Sequence, residues 1–142
     1  MTDVLLLDTH IALWLDSGDA RLRAATRQVI DECWLGAGRI LLSAVTVWEI
    51  ALLVDLGRIE LDLPVAAWVD RFIDRPGVEV IPLSHRAAAR SYDLHRLEHR
   101  DPADRLLIAT AIDLACPLVS YDEHIASFAR RYGRQQGFVV IS

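Results

Sequence analysis

Lysine is absent: all fifteen basic residues of this 142-residue chain are arginine. That excludes every chemistry built on a lysine side chain, including phosphate-binding P-loops, Schiff bases and the lysine of phospho-acceptor receiver domains. Cysteine is scarce too. Cys33 and Cys116 share no metal-ligand spacing and lie in apolar, helix-like surroundings, which predicts two buried, reduced thiols and no disulfide. No apolar run approaches the roughly 18 residues that a membrane span needs. Residues 4–15 match a signal-peptide core in length only: no basic residue precedes them and no small-x-small cleavage site follows, so a cytoplasmic protein is expected. The formal net charge of −5 argues against a protein that grips nucleic acid through a broad basic surface. Such binding would need a local arginine patch or a metal ion.

The composition that remains, 53% hydrophobic and 25% charged, is that of a globular chain, and its length suits one domain over 1–142. "VLLLD" (4–8) is continuously apolar up to its carboxylate, as expected of a strand buried on both faces. "RILLS" (39–43), "VEVIPL" (78–83), "PLVSYD" (117–122) and "FVVIS" (138–142) read as further strands. Helical periods fall between them, at 10–16, 20–35, 46–57 with Gly57 as a stop, 64–76 between two prolines, 84–94, 101–115 and 123–132. This alternation, with no long linker or repeat, predicts a three-layer α/β/α domain around a mostly parallel sheet. Ligands of such sheets bind at the carboxyl ends of the strands. Asp8 and Asp122 both lie there.

Four acids resist a purely structural reading. Glu49 shares a helix face with Val45, Leu52, Leu53 and Leu56, so it is expected to emerge from the apolar side, where an arginine partner is the plain alternative to a function. "DPAD" fits a helix start, with Asp101 as N-cap, Pro102 at the first position and Asp104 at the third. Asp104 also heads the stripe Leu107, Ile108, Ala111 and Ala115, so it faces the core. Asp8 and Asp122 are each able to cap the helix that follows. Four acids on separate elements, drawn to one sheet edge, would repel one another unless a divalent cation neutralised them. An oxygen-only donor set favours Mg²⁺ or Mn²⁺.

At these residues the chain resembles the PIN-domain family, and within it the VapC-type toxins of toxin–antitoxin pairs. The likeness rests on "LLLDTHIALW" (5–14), "SAVTVWEIALLVDLGRIEL" (43–61), "HRDPADRLLIATA" (99–111) and "LVSYDEHI" (118–125). It implies a PIN-like α/β fold and a metal-dependent ribonuclease with an acidic quartet, onto which Asp8, Glu49, Asp104 and Asp122 map. It further implies a small antitoxin that holds the enzyme inactive, and homodimers. Asp101, Thr9 and Ser120 are candidates to support that quartet indirectly, and Arg105 is a candidate RNA contact. Trp14, Trp34, Trp48 and Trp68 are many for so short a chain and offer material for partner surfaces as well as for core.

The reaction implied is Mg²⁺-assisted hydrolysis of an RNA phosphodiester, with Asp8 and Asp104 as direct ligands, Asp122 completing the site or binding a second ion, and Glu49 orienting or deprotonating the attacking water. Histidine catalysis is the mechanistic rival, but His10, His95 and His99 form no evident pair, and surface or supporting roles are expected of them. Arg130, Arg131 and Arg134 read equally well as phosphate contacts or a solvated face. A housekeeping PIN nuclease without an antitoxin is the alternative function. A haloacid-dehalogenase-like phosphatase fits less well, because His10 stands where that family needs a second acid.

Overall fold

The computed structural model describes residues 3–94 and 96–142; His95 lies outside the described residues. In chain order the elements are β1 (Val4–Leu7), α1 (Thr9–Ser17), α2 (Ala24–Leu35), β2 (Arg39–Ser43), α3 (Ala44–Asp55) and α4 (Val65–Phe72). They continue with β3 (Val78–Ile81), α5 (His85–Arg90), α6 (Pro102–Leu114), β4 (Leu118–Val119), α7 (Glu123–Gln136) and β5 (Val140–Ile141). Among the described residues the strands form one five-stranded sheet in the order β3-β2-β1-β4-β5, and every pairing is parallel.

The expected three layers follow from the side-chain alternation of the central strand. Leu5 and Leu7 point into a core shared with Ile11, Ile30, Trp68 and Phe72, whereas Leu6 points to the opposite core with Leu107, Ile108, Ile125 and Phe128. Because β1 is covered on both faces, all three leucines are fully buried, and the continuous apolar run needs no polar face. Cys33 and Cys116 are buried free thiols, one in each core. Among the described residues no helix is long and apolar enough to cross a membrane.

Several elements are shorter than their sequence periods suggest. α2 starts only at Ala24, because Asp19 binds the Arg21 backbone N–H at 2.8 Å and shapes a turn ahead of it. α4 ends at Phe72, well before Pro76. α5 ends at Arg90, and residues 91–94 and 96–100 lie outside any helix, in a strap beside α6. α3 ends at Asp55, and Gly57 (φ +69°) supplies the left-handed residue beyond it, its N–H donating to Val54 O and that of Arg58 to Leu53 O. β4 and β5 keep only two residues each.

The strand order places a topological switch between β1 and β4. From β1 the chain builds outward through β2 and β3, then crosses back to lay β4 on the other side of β1. A crevice opens at the carboxyl ends of such a pair, because the chains leaving the two strands depart in different directions. The Asp8 N–H donates to Val119 O at 3.0 Å, which fixes the start of α1 against the end of β4 at that crevice.

Candidate metal centre

Asp8 follows β1 directly and caps α1, accepting from the Thr9 N–H at 2.7 Å through Oδ1. Its other oxygen accepts from the Ser120 hydroxyl, also at 2.7 Å. The Ser120 Oγ in turn accepts from the Asp122 N–H at 3.1 Å, so one buried hydroxyl ties the two acids together. Asp122 caps α7 through the Ile125 N–H at 3.0 Å. Asp101 caps α6 through the Asp104 N–H at 3.2 Å. Capping and convergence therefore coexist: the acids are held at helix starts because those starts meet at the crevice.

Asp104 is buried, and it is hydrogen-bonded to His99 through Oδ2 and Nε2. The same His99 nitrogen lies 3.8 Å from Asp122 Oδ2. Asp8, Glu49, Asp101, Asp104 and Asp122 all line one cleft of about 460 Å³, together with His10, His99, Trp14, Arg21 and Tyr121. Burial pushes the Asp104 carboxyl up to about 7, and the nearby Asp8 adds to the effect, while the hydrogen bond from His99 opposes it. Asp8 is raised as well, mainly by burial, with the Ser120 and Thr9 hydrogen bonds acting the other way. Glu49 is raised by burial and by the charges of Asp8 and Asp101, against a lowering contribution from Thr9.

Glu49 differs from its sequence reading in one respect. The core side of α3 carries Val45, Thr46 and Ile50, while Trp48, Leu52 and Leu56, at 56%, 38% and 53% exposure, lie outside. The helix is apolar nearly all round, so periodicity could not tell the packed face from the bare one. Glu49 is thus half-buried at the cleft wall, and no ion pair to it forms among the described residues.

Two residues have larger parts than sequence spacing indicated. His99 comes from the irregular strap, where no period marks it, yet it reaches the centre of the acids; its ring stacks on His124 with centroids 4.9 Å apart. Arg105 is bound by the protein's own backbone. Its Nε–H donates to His99 O at 2.9 Å, one terminal nitrogen to Ser91 O at 3.0 Å and the other to Leu97 O at 2.7 Å, under the Tyr92 ring. The guanidinium offered as an RNA contact therefore clasps the strap that carries His99. Thr9 is buried and hydrogen-bonds Thr46, at 3.3 Å between the hydroxyls. Arg130 pairs with Glu123 on the outer face of α7, where Arg131 and Arg134 are also exposed.

The donor set suits a divalent cation. One ligand atom each from His99, Asp104 and Asp122 lies within 4.8 Å of the others, and Asp8 and Glu49 line the same cleft without an ion pair among the described residues. Carboxylates that raise one another's proton affinity are neutralised equally well by a metal ion as by protons.

The PIN domain profile matches residues 5–131. This chain belongs to the PIN-domain family. Ribonuclease VapC22 of Mycobacterium tuberculosis is 34% identical over 127 residues, covering 89% of this chain and 92% of that protein. Among solved PIN-like structures, VapBC2 from Rickettsia felis bound to a promoter DNA fragment superposes with a TM-score of 0.65 at 17% identity, covering 97% of each chain. A toxin–antitoxin complex from Klebsiella pneumoniae superposes with a TM-score of 0.56 at 20% identity, covering 95% of each chain. These likenesses extend the PIN fold along nearly the whole chain.

Proposed function

We propose that this PIN domain is a metal-dependent endoribonuclease, the toxin of a toxin–antitoxin pair. The observation that carries the reading is the convergence of Asp8, Glu49, Asp104 and Asp122 in one cleft, with no arginine ion pair to any of them among the described residues, in a chain related to a ribonuclease. Asp104, Asp122 and Asp8 would hold Mg²⁺ or Mn²⁺, with His99 beside them. When bound, such an ion lowers the pKa of a water and draws charge from a phosphate oxygen. Glu49 orients and deprotonates the attacking water. Its raised proton affinity makes it a stronger base than an ordinary carboxylate. Thr9 and Ser120 fix the acids from behind, and Asp101 starts the helix that presents Asp104. Without an ion the cleft repels RNA phosphates, which suits a protein of net charge −5.

The test is cleavage of a mixed panel of RNA and single-stranded DNA. Activity should be confined to RNA, vanish with EDTA, and return with Mg²⁺ or Mn²⁺ while Zn²⁺ serves poorly. Undiminished cleavage in excess chelator would defeat the metal mechanism and favour His99 as a general base.

The partners are a small antitoxin and a second copy of the chain. Trp48 and Leu52 on the outer face of α3 and Leu56 at its C-cap stand about one turn apart, an exposed apolar stripe of the kind that partner helices cover. The VapBC2 and Klebsiella pneumoniae complexes of the same fold support an antitoxin here. The neighbouring reading frame should encode a short protein with a DNA-binding amino end and an amphipathic, basic carboxyl end. Coexpressed, the two should coelute without nuclease activity. A solitary, freely active and harmless product would instead mark a housekeeping PIN nuclease.

A further inference from the structure

His10, Trp14 and Arg21 line the acidic cleft and also a larger neighbouring cleft of about 850 Å³, so they form the lip between the two. The Trp14 ring lies 5.7 Å from the His10 ring and 5.9 Å from the Tyr121 ring, centroid to centroid. The Arg21 guanidinium stands 5.1 Å from the Trp14 ring centre. Its Nε–H and one terminal N–H donate to the two oxygens of Asp19, at 3.1 and 2.8 Å. Behind this row the Arg23 guanidinium covers Tyr121 at 4.1 Å, and the Tyr121 hydroxyl is fixed between the Arg23 N–H and the Thr26 hydroxyl. The result is a run of flat groups, held in place, that ends at the acids.

Stability does not account for it. The Arg21 side chain is 69% exposed, and exposed ion pairs of this kind contribute little to folding. Nor is Arg21 a free cation waiting for a phosphate, since Asp19 occupies its fork. What it presents to solvent is a flat, charge-compensated face beside an indole. Unpaired nucleobases stack on aromatic rings and on guanidinium planes.

We propose that His10, Trp14 and Arg21 form a stacking subsite for one unpaired nucleobase of the RNA, next to the phosphate held at the acidic cluster. The proposal rests on the ribonuclease reading. It makes this lip a recognition element for single-stranded RNA, with affinity drawn from stacking where the net charge provides none.

The experiment starts with short single-stranded RNAs of randomised sequence, from which one that the parent protein cleaves is chosen and its cut site mapped. Labelled copies carrying a single abasic position, moved along the strand, are titrated with Asp104→Asn protein and read by fluorescence anisotropy. One abasic position near the cut should weaken binding roughly tenfold or more. Arg21→Ala in the same background should weaken the intact RNA by a similar factor and add nothing to the loss at that abasic position. Trp14→Phe should retain most of the affinity. In the active protein the loss from Arg21→Ala should appear in KM more than in kcat. Arg21 is exposed, so folding of the variant is secured independently of Trp14, and far-UV circular dichroism checks it.

A parent that cleaves RNA while no abasic position matters, or an Arg21→Ala protein that binds intact RNA as tightly as its background, overturns the subsite and leaves the nuclease standing. Parent-like RNA binding with loss of antitoxin binding would also overturn it, assigning the lip to a protein partner. A parent that cleaves no RNA overturns both readings, and the first assay tells the two failures apart.

Discussion

In the larger cleft Asp16 and Asp62 meet Arg71 and Asp19 meets Arg21; in the smaller one Asp8, Glu49 and Asp104 meet no arginine that neutralises them. The consequences run in opposite directions. The Arg21 hydrogen bonds hold the Asp19 carboxyl down at about 2, and Arg71 lowers Asp62, whereas burial and like charge raise Asp8, Glu49 and Asp104 in the smaller cleft. Acid content alone therefore does not mark a reactive centre. What marks it is burial without an arginine partner, at a place where helix starts hold the carboxylates together.

The strongest way to break this contrast is to neutralise one uncompensated acid. Asp104→Asn should reduce RNA cleavage by roughly a thousandfold or more, measured as kcat/KM with saturating Mg²⁺, while the fold persists. A drop of only a few-fold would mean that Asp104 is a helix residue and nothing more.

The same acid should dominate the pH dependence of stability without a metal. Its folded value of about 7 lies above the ordinary 3.8, so its contribution favours folding fully below about pH 4 and is lost as the pH rises to about 7. Three units of difference correspond to roughly 4 kcal/mol at most. Urea unfolding of chelated protein across that range should show the decline, with Asp104→Asn flattening it and Mg²⁺ offsetting it at the upper end. A stability that climbed steadily with pH in chelator would contradict the picture.

A smaller effect should come from the clasp on the strap. Arg105→Met leaves three carbonyls without their charged donor, a loss of about 2–3 kcal/mol. Because the strap carries His99, activity should fall as well, and the His99 ring resonances should shift in a protein that remains folded. Arg105→Lys should rescue only partly, since one ammonium cannot replace a planar fork reaching three acceptors. Unchanged His99 resonances would reduce Arg105 to a purely structural role.

The least effect is expected in the compensated cleft. Asp62→Asn removes one exposed partner of Arg71 and should change stability by less than about 1 kcal/mol, with RNA cleavage at parental rates. A large loss of activity there would show that the two clefts are less different than their ion pairs indicate.

Much of this architecture was readable in the sequence, for a physical reason. A strand buried on both faces must be apolar throughout, so the abrupt stop at Asp8 marks both the end of β1 and a sheet edge. Asp122 was legible in the same way, at the end of the run "PLVSYD", and Asp104 as an acid at a helix start that heads a core-facing stripe. The unread parts lie where periodicity carries no information. α3 is apolar on nearly every side, so the partial exposure of Glu49 and the outward turn of Trp48 depended on which neighbours the fold supplied. His99 sits on an irregular strap that includes Arg96 at φ +67°, a shape set by the Arg105 clasp instead of by local propensity. Nothing near Arg105 in the chain distinguishes a side chain that binds carbonyls from one that binds phosphates.

The hydroxyl of Ser120 joins Asp8, 112 residues away in the chain, to Asp122. During synthesis Asp8 leaves the ribosome well before Ser120, because the strand that brings the serine to it comes only after six of the seven described helices. A product that stopped before β4 would carry Asp8, Glu49 and Asp104 but lack Asp122 and the serine that ties it to Asp8. The order of the strands thus acts as a completeness check, withholding the fourth acid of the cleft until β4 has emerged and paired with β1.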